Sequence, residues 1–102
     1  MSVFGITGIR IDDHTGVVTH VRWGQINPKN NSWFTEPVDA PVTDVVNAIV
    51  NGDEVWTIIP VAGAQTALGP RVHTMLSTGG LEGIAVPPDT PDDRSFDVLP
   101  KI

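Results

Sequence analysis

Three side chains in the first quarter of the chain could hold an anion together. Arg10, His20 and Arg22 lie in two alternating stretches, and alternation puts every second side chain on one face of a strand. Two guanidiniums and an imidazole on one face would grip a carboxylate or phosphate through charge-assisted hydrogen bonds. Gly8, expected opposite His20, would leave room above the sheet. The plainer alternative is a solvated face neutralised by the protein's own acids. A fourth candidate is Trp33, next to Phe34 in an otherwise polar stretch. Such a pair either lids the core or anchors a partner, and a small domain's need for large buried side chains favours the lid. Arg10, His20, Arg22 and Trp33 are the candidate ligand-binding residues.

A rival set is Asp12-Asp13-His14 with His20 or His73. Carboxylate and imidazole together bind zinc or nickel, which would make a small metal-dependent or hydrolytic enzyme subunit. No His-x-His or His-x3-His spacing forces this set, and an aspartate on a turn bonds the turn's own backbone. Ser77 and Thr78 stand near His73 without a nucleophile-elbow pattern. Gly79-Gly80-Leu81-Glu82-Gly83 lacks the lysine of a phosphate-binding loop and carries Glu82, which would repel the ligand. The paired acids, Asp12-Asp13, Asp53-Glu54 and Asp92-Asp93, fall at turns or in the tail. No catalytic residue, resident metal or cofactor is expected, and the chain reads as a non-enzyme.

The elements that must position these residues are bounded by composition. The chain has 102 residues, enough for one modest core. Hydrophobic residues make 40% and charged residues 18%, which excludes compositional disorder. Six Lys+Arg stand against 12 Asp+Glu, so a nucleic-acid duplex, which needs a basic surface, is excluded as a partner. Positive charge nevertheless gathers early, with Arg10, Arg22 and Lys29 against Asp12 and Asp13. There is no cysteine, hence no disulfide and no thiolate chemistry. The first residues lack a basic n-region, and no apolar run approaches the roughly 18 residues that span a bilayer. A cytoplasmic protein with no membrane partner is expected.

Residues 3–12 and 16–25 alternate around the turn formers Asp13-His14-Thr15-Gly16 and predict a β-hairpin. The expected register sets Ile11 opposite Val17, Ile9 opposite Thr19 and Gly8 opposite His20. It buries the odd face, with Ile9, Ile11, Val21 and Trp23. Residues 27–41 read as a loop. Val42, Val45, Val46 and Ile49 recur on one face of a helix expected over 39–51, with Asp39 or Thr43 as cap and Gly52 as stop. Residues 54–61 are apolar on both sides and predict a central strand. Strands are expected at 71–76 and 84–86. The fold class is α+β: a hairpin, one amphipathic helix, then two or three strands in a mostly antiparallel sheet with the helix on one face. Residues 1–86 form the domain. Residues 87–102 form a Pro/Asp-rich tail that docks through Phe96 to Leu99 and is mobile over 89–95.

Ile6-Thr7-Gly8-Ile9-Arg10, Val18-Thr19-His20-Val21, the helix end Ile49-Val50-Asn51-Gly52 and Leu99-Pro100 together resemble a family of small bacterial proteins of unknown function. The chain departs from that pattern in the long 27–41 segment and around Ser77-Thr78-Gly79-Gly80. The resemblance implies the fold and a bacterial origin and brings no chemistry. The function expected is a binding or accessory module that meets a protein or small anionic ligand through the hairpin face and the Trp33 loop. An open sheet also leaves a face and edges to cover, for which a homodimer is natural.

Overall fold

The computed structural model describes residues 2–27, 29–30, 32–61, 65–76, 80, 82–91 and 95–102. Strands β1 (Val3–Ile11) and β2 (Val18–Asn27) pair antiparallel. Their register is not the expected one. Ile6 faces Trp23, Ile9 faces Val21, Arg10 faces His20, and Gly8 faces Arg22. Thr7 is an extra residue in β1 and Thr19 an extra residue in β2, and each such bulge reverses the alternation. Ile6 and Ile9 therefore both point inward and are fully buried, although their numbers differ in parity. The odd-face expectation is correct for Ile9 and Val21, misses Ile6, and overstates Ile11 and Trp23, which are half-buried.

The segment expected as a loop comes back along β2. Strand β3 (Ser32–Trp33) pairs with Ile26 and Asn27, and β4 (Val38–Pro41) pairs with His20 to Trp23. Residues 34–37 bulge between them, and the amides of Phe34 and Thr35 both donate to Gln25 O. Prolines suggested a loop here, but an edge strand tolerates proline where its missing N–H would face solvent.

Helix α1 (Val42–Val50) starts directly after Pro41, later than expected, with no side-chain cap. Val45 and Val46 are buried and Val42 and Ile49 half-buried, as the spacing predicts. Gly52 ends it at φ 95°, a conformation that favours glycine. The amides of Gly52 and Asp53 bond back to Ile49 O and Ala48 O, closing the helix end.

Nine helical residues carry the chain back by about 13 Å. The next strand, β5 (Glu54–Val61), therefore begins beside the start of β1 and runs parallel to it, Val3 opposite Glu54 through Ile6 opposite Thr57. The sheet expected to be antiparallel is thus mixed and curled. Strand β6 (Gln65–Arg71) adds antiparallel to β5, giving the order β3-β2-β1-β5-β6 with β4 beside β3 on the edge of β2. Strands β7 (His73–Leu76) and β8 (Glu82–Ala85) form a separate ribbon. Together with α1 it closes the inner face of the sheet. The class is α+β.

The core joins Ile6, Ile9 and Val21 of the hairpin to Val45, Val46, Val55, Ile59 and Ile84. Leu99, 2% exposed, belongs to the same cluster, with Phe96 and Val98 of a short 3₁₀ turn packed against it. Lys101 then bridges parallel to Ile9 of β1. Of the stretch expected to be mobile, residues 92–94 lie outside the described residues, and Thr90 closes a turn onto Pro87 O. No helix among the described residues is long and apolar enough to cross a membrane.

Candidate functional site

Two bulges in the hairpin decide which side chains share the outer face of the sheet. Along β2 the outward row is His20, Arg22, Gly24 and Ile26. Beside it on β1 run Arg10, Gly8, Gly5 and Val3. Arg10, His20 and Arg22 therefore do share a face, with Arg10 directly across from His20.

The arrangement is already complemented from within the molecule. Arg22 Nε donates to Asp39 Oδ1 at 2.7 Å and its Nη2 to Oδ2 at 3.4 Å. Asp39 stands across from Arg22 on β4, so the pair ties the edge strand to its neighbour. The bond to Arg22, helped by the positive charges of Arg22, Arg10 and His20, holds the Asp39 carboxyl below its ordinary value. The bond to Asp39 and its negative charge raise Arg22 in turn. Arg10 Nε donates to Ile102 O at 3.2 Å. His20 is half-buried, and its Nδ1 lies 3.1 Å from the Thr19 hydroxyl. Asp39 has no signal in the sequence beyond a plausible helix cap. Its role appears only once β4 is known to lie against β2.

Trp33 lies at the other end. It faces Ile26, which is six residues from His20 along β2, roughly 20 Å at about 3.3 Å per residue. The middle of the face is covered by the chain itself. A Cβ on Gly5 would stand 2.6 Å from Ile26 Cδ1 and 2.8 Å from Ile58 Cγ1. A Cβ on Gly24 would stand 2.5 Å from Thr35 O and 3.0 Å from Trp33 Cε3. Facing glycines at 5 and 24 thus let Ile26, Ile58 and Trp33 settle onto the sheet. Above them Ile26, Trp33, Ile58, Ala67 and Leu68 line an open cleft of about 260 Å³. Leu68 is 57% exposed, Trp33 39% and Phe34 62%. The expected lid is thus partial: Trp33 covers Gly24 and keeps one side in solvent, and Phe34 stands out. Trp23 stacks on Phe4, centroids 4.5 Å apart. Ile58 and Leu68 were missed, because nothing local says that β5 and β6 continue this face.

The rival set does not converge. Asp12 Oδ1 accepts from the amides of His14 and Thr15, closing the hairpin turn. His73 lies exposed on β7, in the separate ribbon, with Nδ1 3.1 Å from Thr74 O. Among the described residues no three His, Asp or Glu side chains gather around one point. Of the Gly-rich turn, residues 77–79 and 81 lie outside the described residues.

Set against known protein families, curated proteins and solved structures, the chain finds no match. The family resemblance therefore rests on its short motifs alone.

Proposed function

We propose that this protein is a small cytoplasmic binding or accessory module of bacterial origin that meets a protein partner through the outer face of its sheet. Trp33 and the cleft beside it form the main contact. Arg10 and His20, at the far end, take carboxylates of the partner. The observation that supports this reading is the pair of exposed large apolar side chains, Trp33 and Leu68, seated around one cleft over Ile26 and Ile58. Interfaces use such aromatic anchors with charged groups at the rim. A small anion alone would leave the cleft without a role, and the guanidinium of Arg22 already holds a carboxylate.

Selection from a random-peptide display library tests this. Enriched peptides should carry an apolar or aromatic residue together with acidic ones. Trp33→Ala should weaken their binding at least about tenfold, as removal of an interface anchor does. Peptides that bind the Trp33→Ala protein equally well would remove the proposal. So would inorganic phosphate that binds at Arg10 and His20 while no peptide binds at all.

A further inference from the structure

We propose that residues 99–102 and their seat on β1 form an exchangeable strand contact, and that the partner in the exchange is a second copy of this chain. The inference stands independently of the Trp33 cleft.

The seat is built by elements other than the strap that fills it. Strand β5 pairs with β1 from Val3 to Ile6, and among the described residues that leaves the edge of β1 from Gly8 onward to the strap. On the other side Gly8, Ile9 and Arg10 are held by Arg22, Val21 and His20 of β2. The strap continues the line of β5 in the same parallel sense, with Lys101 bridging Ile9. Ile9 N–H donates to Pro100 O at 3.0 Å, and Ile102 N–H donates to Ile9 O at 2.9 Å. These bonds satisfy an edge that would otherwise be unpaired.

Side chains supply selectivity. Leu99 is sunk in the core. A Cβ on Gly8 would stand 2.9 Å from Ile102 Cγ2 and 3.2 Å from Pro100 O, so a side chain there presses on the strap. Arg10 fastens the same residue through Ile102 O. Main-chain bonds for hold and alternate side chains for fit are the terms of strand addition.

The connection permits the exchange. Residues 86–95 lead from β8 to the 3₁₀ turn and include Pro87, Pro88 and Pro91. Thr90 N–H turns back onto Pro87 O at 3.0 Å here, and any ten residues drawn out fully span at most roughly 33 Å at about 3.3 Å each. The molecule measures 40 × 31 × 25 Å, so that reach is enough to place the strap on a neighbour. A second copy carries the matching Leu-Pro-Lys-Ile segment and offers the same seat. Open and closed forms then make the same contacts, and concentration decides between them.

Light scattering after refolding from denaturant tests this. At about 10 μM the wild-type chain should return as a monomer, whereas at about 1 mM, near the effective concentration of a tethered segment, a dimer should form and survive dilution. Gly8→Val keeps the strap and blocks the seat, and Leu99→Asp keeps the seat and spoils the strap. Refolded together they should give a one-to-one heterodimer that neither forms alone. Ile102→Asp, at a half-buried position, replaces Leu99→Asp where the latter does not fold. Monomer at every concentration, or a dimer that Leu99→Asp or Ile102→Asp forms as well as the wild type, would overturn the proposal.

Discussion

Arg22 and Asp39 meet through two hydrogen bonds, yet both side chains are about half exposed, so solvent and salt weaken the pair. Its pH dependence follows from the lowered carboxyl of Asp39. A carboxyl held below its unfolded value stabilises the fold at pH above that value. The contribution is lost as pH falls through the folded value. Asp39→Asn should therefore lower the thermal midpoint slightly near neutral pH and leave it unchanged at a pH below the folded value of that carboxyl, where the wild-type side chain is protonated too. An equal loss at both pH values would show that the side chain acts through packing. That Arg10, His20 and Arg22 share a face was legible from alternation. That their charge is met by Asp39 and by Ile102 O was not, because both partners come from segments whose neighbours only the fold supplies.

At the scale of elements, the edge of β2 is where local reading and structure part. Residues 27–41 hold Pro37, Pro41 and a run of polar side chains, and they read as a loop. They fold as two edge strands around a bulge that rests on Gly24. Gly24→Ala would press a methyl group against Thr35 O and Pro37 N, backbone atoms of a segment whose Phe34 and Thr35 amides are held by Gln25 O. Gly5→Ala would meet Ile26 and Ile58, whose side chains can turn aside. Urea unfolding should show Gly24→Ala losing about 1–3 kcal/mol, the usual cost of overpacking, and Gly5→Ala losing less. The reverse order would mean that the bulge is free to move. The helix, by contrast, was readable to within a turn. Its Val45 and Val46 stripe and its Gly52 stop depend on residues within a few positions of one another.

Across the whole molecule, the last residues are part of the packed body. The radius of gyration is 13.0 Å, close to the roughly 13 Å of a compact chain of this length. Leu99 belongs to the core cluster that holds residues of the hairpin, α1 and β5, and is 2% exposed. Leu99→Ala should cost about 2–5 kcal/mol, the range for emptying a core site. Val50→Ala, on the exposed end of α1, should change stability by no more than about 0.5 kcal/mol. Urea midpoints for the two variants check both values. A small effect at Leu99 would mean that the strap is not holding the core closed.

The sequence by itself determined the antiparallel pairing of the first two strands though not its register, the amphipathic helix with its glycine stop, the α+β class and the face shared by Arg10, His20 and Arg22. Each follows from periodicity or backbone preference among near neighbours. Only the tertiary structure decided that β5 runs parallel to β1, that bulges at Thr7 and Thr19 exchange the two faces, and that Asp39 holds Arg22 while Ile102 O accepts from Arg10 Nε. Open strand edges and apolar faces must be covered, and many distant segments could cover them. Which one does so is set by the balance of burial over the whole chain.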